Sequence, residues 1–595
     1  MEELKKVSAF GSGMSKKEKR RVVNQTEEKI EKIEGLDQNT PVFGIDLGTT
    51  NSAISVVVSG DRPTSIPLTN GRMTMPSCVM WHNGEFIVGQ EAYEHREQAN
   101  VIYSVKRYMQ DPNKMVTFND GGKKLKMSPA EVSAKILRGL VDQTGGMFGD
   151  IKDVVVTVPA YFDQNGRNAT RKACELAGLN LIDIINEPTA ASLCMDDSVC
   201  GGGSHDFIVF DFGGGTLDIT LGSITKNEID EDMIAMYGIT EEEKESSGVI
   251  IQCKAIEGDS HLGGDNIDLE LLEIVGAKIE EKFCVKLNEI DRTYREGMLL
   301  RLEQFKKKNV SSTFSMQIHT TSTKGVKVDG EVLVTPKDFK ASLEPVYRKC
   351  KRIFDKLLNK TANTAKLVLL VGGSTKNPIL IERLKRDYPD FTFSPSLNPD
   401  LSVTNGAAVK GRIDKFGDVT TTIFDILPIS IGIVGEGGRV HRVISSGELL
   451  PVSKTMTFTN VVDGQKEMSL KVVQGESSRF ENCVLLGELL FTDLPDVKEG
   501  EADLAAEITV NAKSVMTCKG YIDGKEKELQ LSLTGETEKT RDANSKLQNR
   551  MMRLRESANK LSARDRKIIE EMLDACPETY SVFEIGRKIK ELSSK

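Results

Sequence analysis

VFGIDLGTTNS at residues 42–52 and IVFDFGGGTLD at residues 208–218 say nearly the same thing. Each is an apolar strand that ends on a carboxylate, passes a glycine turn and a threonine, and returns into a second apolar run, 53–58 and 219–224. That pattern predicts a β-hairpin with an acid at the end of its first strand. Gly48 lets the backbone bend and leaves no Cβ between chain and phosphate. Successive N–H groups, with the hydroxyls of Thr49 and Thr50, then cradle anionic oxygens. Asp46 offers a hard oxygen ligand suited to Mg²⁺, through water. In the second hairpin Gly213, Gly214, Gly215 and Thr216 serve further phosphates, and Asp211 faces the metal or an attacking water. One such turn carries little meaning. Two in matching hairpins, 165 positions apart, point to a nucleotide and its metal between related halves.

A third unit, LVLLVGGST at residues 367–375, has the strand and glycines without the acid. Taken singly it is a strand-to-helix turn. Beside the other two it reads as the surface against which a nucleoside lies, with Gly372, Gly373 and Ser374 in contact.

The 595 residues exceed what one hydrophobic core holds, so three or four domains are expected. A net charge of −9 argues against a general nucleic-acid binder. The ten cysteines include no Cys-x-x-Cys pair, so reduced thiols are expected rather than zinc or a disulfide framework. No apolar run approaches the roughly 20 residues that span a bilayer, so no membrane insertion is expected. Residues 1–40 read as a tail with helical tendency. Its cluster KKEKRR at 16–21 reads as solvated charge, with a nuclear address as the alternative. From 41 to 416 strands alternate with amphipathic helices, an α/β domain. A Gly-rich connector at 196–205 and an acidic stretch at 228–248 interrupt it, the latter a surface insertion or a docking site. A linker follows at 417–425. Short alternating strands at 426–536 predict a β-sandwich, and 537–595 is charged and helical, with an apolar stripe through Leu554, Leu561, Ile568, Ile569 and Met572.

The three glycine turns resemble those of the actin, sugar-kinase and 70-kDa heat-shock superfamily. Four further runs resemble the 70-kDa heat-shock (DnaK-type) molecular chaperone family in particular: VVTVPAYF at 155–162, INEPTAA at 185–191, HLGGD at 261–265 and NPD at 398–400. The resemblance covers about 42–535. It implies a multidomain chain: an α/β actin-like ATPase domain of duplicated ribonuclease H-like halves, then a β-sandwich peptide-binding domain and a short α-helical lid. It also implies ATP and ADP as ligands, with Mg²⁺ and K⁺ as candidate ions.

Residue by residue, Asp46 and Asp211 resemble the acids that organise Mg²⁺ and water, with Asp218 nearby. Lys106 matches the lysine that positions the hydrolytic water, although a lone lysine after a strand is ordinarily solvated surface. Glu187 matches the acid that completes that network, and Thr49 and Thr216 the hydroxyls at the phosphates. Asp400, in the NPD run, joins the nucleotide set. Pro159 and Arg167, with Asp425 in the linker, match a relay that reports nucleotide state to the peptide domain. Glu303 and Lys306 align with residues that grip ribose and base. Lys307 stands where the family stacks an arginine on adenine, and Val310 where it has a serine. Lysine is a compact point charge and stacks less well, so weaker or less selective binding is expected.

Other departures concern partners. Threonines replace leucines in the linker at 420–422, so docking buries less apolar area at about 25 cal/mol per Å², and coupling is expected to be reduced. Asp183 stands where the family carries an arginine for the aspartate of a J-domain co-chaperone. Two facing carboxylates disfavour that docking. In the sandwich, Ile433, Phe458, Met468 and Leu470 align with the cleft that takes an apolar side chain, and Glu436 and Val461 with the arch above it. A sandwich core with no ligand is the plainer reading. The implied partners are unfolded or nascent polypeptides, a J-domain co-chaperone and a nucleotide-exchange factor, in the cytoplasm. Asn51 keeps a mitochondrial or mitochondrion-related organelle as the alternative. The expected function is an ATP-dependent chaperone, against a non-foldase regulator of the same family. A sugar or carboxylate kinase leaves the relay and sandwich without a role.

Overall fold

The structure, a computed structural model, describes residues 41–57, 63–194, 203–227, 248–308, 311–360, 364–395, 398–416, 421–527, 532–533 and 588. The N-terminal tail, nearly all of the acidic insertion and of the helical lid, the first part of the linker and Val310 lie outside the described residues. Two compact units are present. The first runs to Pro428 and includes Leu449–Pro451 and Ala512–Ser514; the second takes Ile429–Glu448, Val452–Asn511 and the chain from Val515.

In the first unit the duplication seen in the sequence is a duplication of topology. One sheet is built from β1 (Phe43–Leu47), β2 (Asn51–Val56), β3 (Thr64–Ser65), β4 (Asp153–Val158) and β5 (Asn180–Asn186), in the order β5-β4-β1-β2-β3, with the short strand Met75–Pro76 also on β2. The other is built from β6 (Gly203–Phe212), β7 (Leu217–Asn227), β8 (Gly248–Asp259), β9 (Leu367–Val371), β10 (Thr392–Pro395) and β11 (Thr421–Phe424), in the order β10-β9-β6-β7-β8-β11. In both, the first hairpin is antiparallel and the next strands add in parallel on the acid-bearing strand. Parallel strands covered on both faces carry continuous apolar runs. β4 does: it buries Val154, Val155, Val156 and Val158, and also Thr157.

The helices start where local chemistry dictates. Ser128 and Glu131 close a capping box at α1 (Pro129–Asp142), whose first residue is a proline. Asp163 accepts from the Gly166 amide at 2.8 Å and opens α2 (Gln164–Leu176). α3 (Glu187–Ser192) follows β5 directly. In the second half α4 (Gly264–Phe283), α5 (Arg292–Lys308) and α6 (Pro336–Lys360) share a core with β6, in which Phe210, Leu271, Leu302, Phe339 and Phe354 are buried. α7 (Pro378–Asp387) precedes β10. A separate cluster joins Val155 and Ile185 of the first half to Phe207 and Val209 of the second and to Val403 and Ala407 of α8 (Ser402–Phe416). Thr404 of α8 donates to the carbonyls of Gly44 and Ala53, at 3.0 and 3.2 Å.

β11 belongs to the stretch expected to be a linker. It lies parallel on β8, from Val249 opposite Thr421 to Gln252 opposite Phe424, and Phe424 is buried. The threonines therefore do not keep this strand off the sheet. Main-chain pairing needs no leucine, and Phe424 supplies the buried apolar surface.

The second unit contains two antiparallel sheets. One runs in the order Val440–Ile444, Ile431–Val434, Met468–Gln474, Val484–Phe491, Ser532–Leu533; the other in the order Val452–Phe458, Leu504–Val510, Met516–Ile522, Lys525–Lys527. Leu504–Val510 alternates buried and half-buried residues, as a strand with one face inward should. Phe458 of the second sheet meets Phe491 of the first edge-to-face, with ring centroids 5.3 Å apart.

Close helix packing in the first unit depends on Gly406. A Cβ there would lie 1.7 Å from the carbonyl oxygen of Ala190 in α3. Alanine ordinarily favours a helix over glycine by about 1 kcal/mol, but overpacking against backbone outweighs it. Gly406→Ala is expected to destabilise the protein by about 2 kcal/mol net, read as a lower urea midpoint with an unchanged slope.

Candidate active site

The two hairpin turns face one cavity of about 580 Å³. Asp46, Gly48, Thr49, Thr50, Lys106, Glu187, Asp211, Gly213, Gly214 and Thr216 line it, together with Glu303, Lys306, Lys307, Gly372, Gly373, Ser374 and Asp400. Two members of the expected set stand behind the lining. Gly215 packs against Thr49 and Arg107, and Asp218 pairs across the hairpin with Asp211.

Each side chain has a structural reason for its place. Asp46 is the penultimate residue of β1, where Thr157 of the neighbouring β4 donates to its Oδ1 at 2.9 Å. Glu187 is the first residue of α3, at the positive end of the helix. Lys106 lies in a single 3₁₀ turn entered through Ser104 at φ 51°. Its Nζ reaches Glu187 Oε1 at 2.6 Å, with both side chains at most one-tenth exposed. The lysine is therefore buried in an ion pair and not solvated surface.

At Gly48, Gly214 and Gly215 the turns leave no space for side chains. A Cβ on Gly214 would lie 1.8 Å from Thr50 Oγ1, and one on Gly263 would lie 2.3 Å from the Gly214 carbonyl oxygen. Gly372, at φ +82°, would place a Cβ 2.7 Å from Asp211 Oδ1. The second turn is braced from outside: Gly264 and Asp265 donate their amides to the carbonyls of Gly213 and Gly214, at 3.0 and 2.8 Å, and Ser374 donates its hydroxyl to Gly213 at 2.7 Å.

Electrostatics single out the same acids. Burial, then the Glu187 charge, pushes Asp46 and Asp218 each up to about 7. Burial and the neighbouring carboxylates of Glu187, Asp218 and Asp46 raise Asp211 as well. Lys106 opposes all three shifts. Thr50 Oγ1 and Asp218 Oδ2 are buried without a hydrogen-bond partner among the described residues. Crowded acids, an orphaned hydroxyl and a glycine cradle fit a phosphate chain and its hard cation.

A polar chain leads away from the site. Arg167, buried, donates to Asn186 Oδ1 at 2.6 Å. Asn186 Nδ2 donates to Asp425 Oδ2 at 2.5 Å, and Thr189 Oγ1 reaches the same oxygen at 3.3 Å. Asn186 precedes Glu187, so the end of β11 is tied to the residue beside the Lys106 partner. Pro159 follows β4 two residues after Thr157, the donor to Asp46. Asn186 itself was not expected from the sequence, although it lies inside the INEPTAA run.

Other residues were missed. Arg96 and Lys307 both pair with Glu303, Lys307 at 2.5 Å, so the carboxylate expected to grip ribose is already held by two cations. These keep Glu303 below its ordinary value although burial alone would raise it. Nothing local in the sequence marks Arg96. Lys376, which pairs with Asp400, and Asn377 line the cavity just after the Gly-Gly-Ser-Thr turn, where their position was the available signal.

Asp183 requires a correction. Its carboxylate does not face outward. It is buried and paired with Lys410 of α8 at 2.8 Å, and Lys410 also holds Asp414 at 2.5 Å. Burial would raise Asp183, but the Lys410 ammonium leaves it below its ordinary value. A buried carboxylate needs a counter-charge, and this one finds it inside the fold.

In the second unit Ile433 is buried, while Phe458, Met468 and Leu470 are half-buried and Val461 is 64% exposed. Met468 lies across the strand pair from Phe491, which meets Phe458, so these two expected residues gather around one ring. The Glu436 side chain lies outside what is described.

The family model described as "Hsp70 protein" matches residues 42–231 and 244–589. The chain is 30% identical over 512 residues to the "Chaperone protein DnaK" of Metamycoplasma hominis, covering 84% of this chain and 80% of that one. It is 29% identical over 537 residues to the "Chaperone protein DnaK" of Deinococcus radiodurans, with the same coverage. The chain belongs to the Hsp70 family.

The buried acids make a signed prediction. Asp218 titrates near 7 when folded against an ordinary value of 3.8. Between those values the folded chain holds a proton that the unfolded chain releases, so this group's contribution to stability falls as pH rises and is lost through pH 7. Asp218→Asn keeps an acceptor for the Tyr161 amide, which now reaches Oδ1 at 3.1 Å. Urea unfolding from pH 5 to 8 should show a shallower decline in the variant than in the parent chain.

Proposed function

We propose that this molecular chaperone runs on ATP hydrolysis in its first unit, which sets whether the β-sandwich of its second unit holds or releases an apolar polypeptide segment. The buried Lys106–Glu187 pair at 2.6 Å, between two hairpin acids, carries the reading. A lysine and a carboxylate are withdrawn from water together only at a cost in desolvation, and in this reading that cost is met because the pair serves the attacking water.

In this reading Thr49, Thr50, Thr216 and the glycine amides hold the phosphate chain. Asp46 and Asp211 would hold Mg²⁺, which when bound would supply charge neutralisation at the phosphates. Lys106 orients the water, and Glu187 accepts its proton or orients it through Lys106. Hydrolysis then rests on positioning and charge stabilisation. Pro159, Arg167 and Asp425 carry the state of the site onward, through Asn186 and the docked β11. Because coupling is reciprocal, bound peptide in turn accelerates hydrolysis.

The proposed client is an extended, leucine-rich stretch of an unfolded or nascent chain. It would be held by main-chain bonds and by the residues around Ile433, Phe458, Met468 and Leu470, with Val461 and Glu436 at the arch. The proposed helpers are a J-domain co-chaperone and a nucleotide-exchange factor. With Asp183 paired internally, its charge gives no reason to expect J-domain repulsion. The cytoplasm is the proposed compartment. Among the described residues the cysteines are free thiols, and no helix is long and apolar enough to cross a membrane. A non-foldase regulator is not favoured, since the relatives are chaperones by name.

Steady-state ATP hydrolysis with and without a leucine-rich peptide tests the reading. Peptide should stimulate the parent chain several-fold. Lys106→Ala should lose about 100-fold or more in kcat, roughly 3 kcal/mol of barrier, while still binding ATP. Tight ATP binding without any peptide response would refute it. Asp425→Ala removes the acceptor for Asn186 and Thr189, and should keep basal hydrolysis while losing most peptide stimulation.

A further inference from the structure

Lys106 is not the only cation on its turn. The 3₁₀ segment Val105–Tyr108 also carries Arg107, and the two side chains leave it in different directions. Lys106 runs to Glu187 in the first half of the unit. Arg107 crosses to the second half. Its Nη2 donates to Asn266 Oδ1 at 3.1 Å, reaches the Gly214 carbonyl oxygen at 3.5 Å and lies 3.8 Å from Asp265 Oδ2. Ser104, which opens the turn, donates to the same Asp265 oxygen at 3.1 Å.

These acceptors frame the second glycine turn. The Asp265 amide donates to the Gly214 carbonyl at 2.8 Å, and Asn266 Oδ1 also accepts from the Gly263 amide at 2.8 Å. Arg107 helps to close the gap between the glycine turns as well. A Cβ on Gly215 would lie 2.8 Å from Thr49 Oγ1 and 3.0 Å from Arg107 Nε. The first turn, the second turn and the Lys106 turn thus meet at one place. Arg107 is not among the residues described as lining the cavity, so it acts from behind the lining.

A single 3₁₀ turn holds itself weakly. Within this one the Arg107 amide donates to Ser104 and the Met109 amide to Lys106, both at 3.2 Å. Ser104 sits at φ 51°, a conformation that costs a non-glycine residue free energy. Arg107 Nε is buried without a hydrogen-bond partner among the described residues, a further cost. The contacts across to the second half offset both. A planar guanidinium suits that task, because its donors form a rigid fork.

We infer that Arg107 is a positioning residue for hydrolysis: it ties the turn that carries Lys106 to the second glycine turn. The ammonium is then held in place relative to Asp211 and Thr216 of the second half, as well as to Asp46 and Glu187 of the first. The inference rests on the hydrolysis reading given above and adds a residue to it.

Single-turnover hydrolysis of Mg-ATP by the full chain, with ATP affinity measured by titration, tests it. Arg107→Met should slow hydrolysis about tenfold or more, the effect of misplacing a catalytic group. The Kd for ATP should stay within about threefold, because no group lining the cavity is removed. In a Lys106→Ala chain the same substitution should change the residual rate by less than about twofold, since residues that act as a unit are not additive. Hydrolysis at the parent rate overturns the inference and leaves the hydrolysis reading standing. So does an equal loss in both backgrounds, which marks a structural role, or a Kd raised tenfold, which marks direct contact with the nucleotide. No hydrolysis by the parent chain overturns the reading beneath it, and the inference with it. If circular dichroism shows Arg107→Met unfolded, Ser104→Ala carries the same test, with a loss of about threefold in the parent chain and none in Lys106→Ala.

Discussion

One buried lysine faces an excess of buried acid. Asp46, Asp211, Asp218 and Glu187 share a cleft closed to water on most sides, and Lys106 opposes the raised titration of the first three while pairing directly with the fourth. Burying several carboxylates around one ammonium is unfavourable by itself. The imbalance is the feature on which the proposed chemistry rests. It fits a hard cation, and it pushes Asp46 and Asp218 up to about 7.

The same constraint explains the architecture. Asp46 and Asp211 occupy equivalent places on equivalent strands, and the duplicated sheets supply those strands with corresponding order and sense. The turns beyond them must pass within van der Waals distance of each other, which is why Gly214, Gly263 and Gly372 admit no Cβ. α8 then locks the halves, with Thr404 bonded to both strands of the first hairpin and Gly406 pressed onto α3. A site made from separate elements also gives those elements a common readout. Glu187 sits at the head of α3, and the adjacent Asn186 connects Arg167 to Asp425 at the end of β11.

The α/β and sandwich classes, the acids of both hairpins and the glycine cradle were legible, because they rest on short-range patterns: alternation, strand-end carboxylates and turns that only glycine permits. Nearly all of the expected nucleotide set lines one cavity for that reason. What failed was anything decided by a distant partner. Asp183 looked like an exposed charge because no local signal announces Lys410, more than two hundred positions on. Arg96 was invisible for the same reason.

The sequence by itself determined where the chain turns, which strands carry an acid near their end and where main-chain amides lie without side chains in the way. Those are properties of a few consecutive residues and their backbone preferences. Only the tertiary structure decided which charges were neutralised: that Lys106 is buried against Glu187, that Asp183 is held by Lys410, and that Glu303 is occupied by Arg96 and Lys307. A charge is defined by its counter-charge and its distance from water, and both are set by folding.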